Sequence, residues 1–342
     1  EVIRRLKKAR IKAVPTGLAH GTVTAIVEGV PFEVTTLRRD VATDGRRATI
    51  AYTEDWREDA ARRDFTINAL SADPAGLEVH DYFGGEADLA ARRVRFIGDP
   101  LTRIAEDHLR ILRFFRFHAR FGGGAPDAEG LDACTARAND LMALSRERIA
   151  DELLKLLALP APAATVRLMV ERGILTPVLP EIDEAGAARL ERLTEREKQV
   201  PPDPLRRLAA LLPPDPALAE AIAARLRLSR KAGRRLVAAA ARAEPEDAPA
   251  VLAYRLGADE AVDRLLLGEG DPARVGELAG WKRPRLAIRG GDLIAMGLTA
   301  GPAVASTLRR IEDAWADAGF PGEEAQRALA KRHVEEALAR RA

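Results

Sequence analysis

The sequence predicts an α+β fold, with a small α/β head at the N-terminal end and an all-α remainder. Three observations lead there. β-Branched residues and period-2 alternation crowd residues 11–38. Helical patterning takes over at Pro100 and runs nearly to the end. The breaks in that run fall at Gly122–Gly124, Pro160–Pro162, Pro201–Pro204, Pro213–Pro216 and Glu244–Pro249, which are helix stops rather than strand signals. A length of 342 residues suits about two domains or a few small ones.

The elements follow in order. Glu1 to Arg10 looks like the back end of a helix already under way, so an N-terminal portion is expected to be missing. Gly21-Thr-Val-Thr-Ala-Ile-Val-Glu28 suits a strand, Gly29-Val30-Pro31 a turn, and Phe32-Glu-Val-Thr-Thr-Leu-Arg38 the returning strand. On that strand Phe32, Val34 and Thr36 share one face, and Glu33, Thr35 and Leu37 the other. Residues 39–50 are polar and read as a mobile basic loop around Asp44-Gly45-Arg46-Arg47. A helix is expected over about 57–63, a short strand over 77–80, a helix from Glu86 to Arg92, and a short strand over Val94–Phe96. Asp99 to Arg120 reads as one helix.

Composition narrows the function classes. Hydrophobic residues make up 47% and charged residues 31%, an ordinary balance for a packed domain. A net charge of +2 excludes a strong polycation but leaves room for local basic stripes. One cysteine, Cys134, excludes an internal disulfide or a zinc cluster and suits a reducing, cytoplasmic setting. No apolar run reaches the roughly 18 residues of a membrane span, and no signal peptide is visible.

Three constellations can carry chemistry. Glu33 sits mid-strand, where it is either a solvated sheet edge or a carboxylate for the paired Mg2+ ions of nucleotidyl transfer. A single carboxylate cannot hold that pair, and no partner with suitable strand spacing lies downstream. Arg62-Arg63-Asp64-Phe65-Thr66-Ile67-Asn68 is either a charged helix end or a set of donors for a triphosphate and ribose. Asp107 and Arg110, at i and i+3, would project from one helical face, and Arg113, Arg116 and Arg120 extend a basic strip. They form an ordinary ion pair, or they read a base. Cytosine and adenine share an amino donor beside a ring-nitrogen acceptor, which a carboxylate and a guanidinium complement. Uracil and guanine reverse that pattern and would leave buried groups unpaired, at about 1–3 kcal/mol each.

In order, these pieces resemble the class II CCA-adding enzyme and bacterial poly(A) polymerase family. The matching stretches are Thr16-Gly-Leu-Ala-His-Gly-Thr22, Phe32 to Arg38, Arg62 to Ala69, Asp81-Tyr-Phe-Gly-Gly85, Ile97-Gly-Asp-Pro100, Glu106-Asp-His-Leu-Arg-Ile-Leu-Arg113 and Ser145-Arg-Glu-Arg148. A softer match, Gly291 to Gly297 with Gly301-Pro302, suggests a C-terminal helical hairpin. The resemblance implies a nucleotidyltransferase head over 1–98, a base-recognising helical neck over 99–158, and a tRNA-binding helical body and tail over 159–342. It implies Glu33 as catalytic acid and Mg2+ ligand, with the other ligands upstream of Glu1. It implies nucleotide binding by Arg38, Arg63, Asp64, Asn68, Asp107, Arg110, Arg113 and Arg116, and a flexible loop at Asp44, Gly45, Arg46 and Arg47. The implied substrates are CTP, ATP and the tRNA 3′ acceptor end.

One departure is plain: the family's Gly-Gly-x-Val-Arg-Asp and Asp-x-Asp stretches are absent from these 342 residues. By itself the chain is therefore expected to incorporate no nucleotides. Thr16-Gly-x-x-His-Gly-Thr22 and the lack of a long basic tail favour CCA addition over poly(A) synthesis, and the Asp-Gly-Arg-Arg loop argues against CC-only addition. A non-catalytic RNA-binding protein is the alternative from another class. The five histidines form no His-Asp metal pair, so a phosphohydrolase is not expected.

Overall fold

A computed structural model describes all residues except 19–20, 45–46, 245 and 341–342, and for residues 40–50 it describes the backbone alone. The chain forms two compact units, Glu1–Glu184 and Ala185–Ala342. Both expected boundaries, at 98/99 and 158/159, lie inside the first unit.

The first unit opens with helix α1 (Val2–Lys8) and a three-stranded antiparallel sheet of β1 (Lys12–Gly17), β2 (Thr22–Val27) and β3 (Val30–Thr35), in that order. Register pairs Thr24 with Glu33 and Val27 with Val30, so the hairpin closes around Glu28 and Gly29, both at positive φ. Val23 and Ala25 of β2 are buried, whereas β3 is exposed along its length.

Residues 39–50 depart from expectation. The described residues on either side of 45–46 form two paired strands, β4 (Arg38–Asp44) and β5 (Arg47–Tyr52), in register from Arg38–Tyr52 to Asp44–Arg47. Alternating Val41, Thr43, Thr49 and an Asp-Gly pair are hairpin chemistry, and that signal outweighs the polarity that suggested a loop.

Helix α2 (Trp56–Ala61) starts on Asp55, whose side chain accepts from the Arg57 amide at 2.7 Å. A 3₁₀ turn (Thr66–Asn68), a two-residue ladder of β6 (Ser71–Ala72) with β7 (Val79–His80), and α3 (Gly85–Ala90) complete the head. The strand expected at Val94–Phe96 is reduced to one bridge, Phe65 to Phe96. Asp81 shapes the Asp81–Gly85 motif by accepting from the amides of Phe83, Gly84, Gly85 and Glu86 at 2.9–3.1 Å. A Cβ on Gly85 would meet the Thr66 carbonyl oxygen at 2.3 Å, so only glycine lets α3 dock against the 3₁₀ turn.

The rest of the unit is helical: α4 (Pro100–Glu106), α5 (Arg110–Phe121), α6 (Ala128–Ala136), α7 (Arg146–Leu157) and α8 (Ala163–Glu171). Head and neck share one aromatic core. Phe65 lies 4.9 Å from Phe96 and 5.0 Å from Phe117, ring centre to ring centre, and Phe114 stacks on Phe96 at 5.6 Å.

The second unit holds most of α9 (Glu184–Arg196), then α10 (Pro204–Leu211), α11 (Pro216–Arg225), α12 (Arg230–Ala240), α13 (Pro249–Leu256), α14 (Ala258–Leu267), α15 (Gly290–Ala295), α16 (Pro302–Asp317) and α17 (Glu323–Ala339). α10 and α11 begin with an Asp N-cap and Pro at the first turn, the Asp-Pro stops visible in the sequence. Among the described residues no helix is long and apolar enough to cross a membrane.

Candidate active site

A cleft of about 380 Å3 opens beneath β3. Its walls include Glu33, Thr35 and Leu37 of one expected face, Thr36 of the other, and Trp56, Arg63 and Asn68. The volume lies within the roughly 300–1,000 Å3 of pockets that take whole small molecules. Glu33, Arg63 and Asn68 are thus brought to one cavity.

Arg63 is aimed by a residue that the sequence reading passed over. Asp59 on α2 is buried, and its carboxylate takes the Arg38 amide (3.1 Å), Arg62 (2.9 Å) and Arg63 (3.1 Å). Burial alone would raise the Asp59 pKa, but the Arg38 amide and the two guanidinium groups hold it below its usual range. Asp59 shares the cleft wall yet spends its charge on these partners. Its place one turn before Arg62 and Arg63 was the available signal.

Asp64 and Asn68 are likewise committed. Asn68 Nδ2 donates to Asp64 Oδ1 at 2.5 Å, and Asn68 Oδ1 accepts from the Phe65 amide at 3.2 Å. Asp64 is buried and paired with Arg113, which also lies 3.8 Å from Glu152. Burial pushes the Asp64 carboxyl up; the hydrogen bond and charge of Arg113 outweigh it and leave the pKa lowered. Arg116 donates to Glu152 at 2.6 Å and lies over the Phe117 ring at 4.9 Å. Glu152 is buried, and sequence reasoning missed it too.

The expected continuous helix from 99 to 120 is broken. α4 stops at Glu106, Asp107 is extended (φ −154°, ψ 106°), and α5 starts at Arg110. No Gly or Pro marks the break. Instead the Asp107 side chain accepts from the Leu109 amide at 3.1 Å, a local bond that competes with the helix. Asp107 and Arg110 therefore do not project from one helical face. Asp107 pairs with Arg148 at 2.7 Å. Arg110 pairs with Glu106 and donates to the carbonyls of Arg103 (2.8 Å) and Arg62 (3.3 Å). Arg103 donates to the Arg63 carbonyl at 2.5 Å. Two neck arginines thus hold the peptide that carries Arg62 and Arg63. Asp107 and Arg110 are not among the residues lining the Glu33 cleft.

One unassigned residue and one assigned residue stand apart. Trp56 is 55% exposed on the cleft wall, an unusual state for a large aromatic. Arg38 enters through its amide rather than through a cleft-lining side chain. Ala19 and His20 of the Thr16–Thr22 stretch, and Gly45 and Arg46 of the basic loop, lie outside the described residues, as do the side chains of Asp44 and Arg47. Among the described residues no group of three His, Cys, Asp or Glu is placed to hold a metal ion, and Glu33 offers one ligand only.

Residues 1–95 match the poly(A) polymerase head domain, and residues 126–185 match a family described as the probable RNA and SrmB-binding site of polymerase A. Mitochondrial CCA tRNA nucleotidyltransferase 1 of Mus musculus is 34% identical over 323 residues, covering 89% of this chain and 73% of that protein. The CCA-adding enzyme of Anoxybacillus flavithermus is 36% identical over 173 residues, 50% of this chain and 43% of that one. The crystal structure of the Bacillus stearothermophilus CCA-adding enzyme in complex with CTP superposes with a TM-score of 0.72 at 25% identity, over 95% of this chain and 85% of that chain. On these relationships the chain belongs to the CCA tRNA nucleotidyltransferase family.

Proposed function

We propose that the protein adds C, C and A to the 3′ end of tRNA from CTP and ATP, without a nucleic-acid template. One observation carries the reading. A strand-borne carboxylate, Glu33, lines one cleft of about 380 Å3 together with Arg63 and Asn68, in a chain similar over most of its length to CCA tRNA nucleotidyltransferases. Arg63, aimed by Asp59, suits a phosphate; Trp56 suits a stacked base. Base choice falls to Asp107 and Arg110. Each already has a protein partner, Arg148 and Glu106, so a cytosine or adenine edge enters by exchange of partners. Uracil and guanine would break those pairs and replace them with like-facing groups.

The family's transfer chemistry uses a divalent ion. We assign Mg2+, on its preference for hard oxygen ligands, with Glu33 as the described residue that would touch it. The described residues do not complete such a site. We place the protein in the cytoplasm, consistent with its single buried cysteine.

Equilibrium binding of the four nucleotides tests the reading, with CTP and ATP expected to bind about ten-fold tighter than UTP and GTP. Equal binding of all four overturns it. An addition assay on tRNA lacking CCA, with CTP and ATP separate and together, separates the rest. These 342 residues by themselves, with Glu33 as the one described metal ligand, should incorporate neither nucleotide; in a protein whose metal site is complete, CTP alone should give two C residues, and both together CCA. A run of A from ATP alone belongs to poly(A) synthesis. Selective binding without addition is the outcome expected where Glu33 is the one metal ligand present and the site for the ion pair is incomplete.

A further inference from the structure

The joint between α4 and α5 carries a second polar side chain beside Asp107. His108 follows it on backbone that belongs to neither helix. Its Nδ1 lies 3.6 Å from Oδ2 of Asp140, and the two side chains are mostly covered, at 23% and 27% exposed. Asp140 sits on a 3₁₀ segment (Ala138–Ala143) that leads into α7. Arg148, the partner of Asp107, stands in the first turn of that same α7. Two consecutive residues of the joint thus face one corner of the neck.

The two contacts are in opposite states. Asp107–Arg148 is made, at 2.7 Å. His108–Asp140 is outside hydrogen-bond distance, and its Nδ1 and Oδ2 are both buried with no hydrogen-bond partner among the described residues. Arg137 Nε approaches Asp140 Oδ2 to 2.6 Å, but it too makes no well-directed hydrogen bond. Buried donors and acceptors are ordinarily satisfied, so a facing pair left just open calls for a reason. The chain supplies one. Asp107 and His108 are adjacent, so a shift that turns Asp107 away from Arg148 also carries His108.

We propose that His108 and Asp140 form a latch that closes as Asp107 turns from Arg148 to a cytosine or adenine edge. His108 is then a positioning residue: its Nδ1–H donates to Asp140 and holds the joint in the base-reading state. The inference rests on the reading of Asp107 as a base-selecting residue. An imidazole Nδ1 is donor or acceptor by tautomer, and a carboxylate neighbour selects the donor. Closing the bond satisfies two buried groups just as the Asp107–Arg148 pair is given up, which offsets part of the cost of the exchange. Uracil and guanine do not draw Asp107 over and gain nothing from the latch.

Equilibrium binding of the four nucleotides tests it, with urea midpoints confirming that each variant is folded. His108→Leu keeps bulk and loses the donor. It should weaken CTP and ATP about five-fold, one hydrogen bond's worth, and leave UTP and GTP within about two-fold. His108→Asn places an amide donor where Nδ1 stood and should recover most of the loss. His108→Gln, one carbon longer, should not. Asp140→Ala approaches the same bond from the other side and should match His108→Leu. The double variant should lose no more than either alone. Arg137→Ala removes the other neighbour of Asp140 and should stay near the parent.

Parent-like CTP and ATP binding by His108→Leu or Asp140→Ala overturns the latch. So do equal losses for all four nucleotides, additive losses in the double variant, or rescue by Gln and not by Asn. Asp107→Ala, measured beside them, separates the two readings. If it lowers discrimination and His108→Leu does not, the latch alone falls. If it leaves discrimination unchanged, base reading by Asp107 falls and takes the latch with it.

Discussion

Arginine–carboxylate clusters in the two units use the same residue types and end in opposite conditions. In the second unit Arg206 and Arg207 meet Glu197 and Asp263, and all four side chains are at most 6% exposed. Arg235 adds bonds to Asp263 at 2.6 and 3.0 Å and to Asp203 at 2.9 Å. In the first unit the arginines are more open: Arg63 and Arg113 are 45% and 29% exposed against the buried Asp59 and Asp64, and Arg148 and Asp107 are both partly exposed, at 37% and 31%. A sealed pair can only hold the fold. A pair open on both sides, as Asp107–Arg148 is, can surrender one partner to a ligand at small cost, because water already screens it. Burial, rather than residue type, separates the sealed arginines of the second unit from the more open ones of the first.

The largest effect should come from opening the sealed cluster. Asp263→Ala leaves Arg206 and Arg235 without their shared carboxylate, and breaking one side of a buried pair costs about 3–5 kcal/mol. Urea denaturation followed by circular dichroism would read it. A loss under about 1 kcal/mol would erase the contrast between the units. Nucleotide preference measured on the folded fraction should not move.

The half-open Asp107–Arg148 pair should show the reverse, and so should Arg110, which is more buried in its pair with Glu106. Asp107→Ala and Arg110→Ala are each expected to cut C/A-over-U/G discrimination by roughly ten-fold, one unpaired group's worth, with smaller stability losses than Asp263→Ala. Competition binding with the four nucleotides measures it. Unchanged discrimination in both variants rejects the base-reading assignment. Trp56→Ala sharpens the same point from the apolar side of the cleft. Stacking of one base is worth about 1–3 kcal/mol, so CTP and ATP should both bind about ten-fold more weakly while their ratio to UTP and GTP holds. Trp56→Phe should retain most of the affinity, whereas equal weakening by Phe and Ala would remove stacking as the cause.

Much of this was legible because local chemistry decided it. The period-2 faces of β3 put Glu33 and Thr35 on the cleft side, and the Asp-Pro and Gly stops in the helical run all fall at helix ends. Two features were not legible, for different reasons. The break at Asp107 rests on a side chain bonding its own backbone two residues on, an option any Asp carries without announcing it. The Asp107–Arg148, Arg116–Glu152 and Arg113–Asp64 pairs join residues 41, 36 and 49 positions apart. No periodicity encodes such partners; only packing selects them. The sequence alone therefore paired Asp107 with its neighbour Arg110, where the fold pairs it with a residue on another helix.

The smallest effect tests how the pairing of the buried Asp64 with Arg113 couples to pH. The Asp64 pKa is lowered by Arg113 despite burial, so its pairing contributes stability that is fully present above the unfolded value of about 4 and is lost as pH falls through the lower folded value. Asp64→Asn removes that titration. The variant should be less stable than the parent at pH 7, and the gap should narrow as pH drops below about 4, read from urea midpoints at a series of pH values. Asp59 and Asp88 carry lowered pKa values in the same unit, so the variant keeps part of its acid sensitivity. A gap that stays constant from pH 7 to about pH 2 would mean that Asp64 holds its place by shape and hydrogen bonding to Asn68, and that Arg113 is free of electrostatic dependence on it.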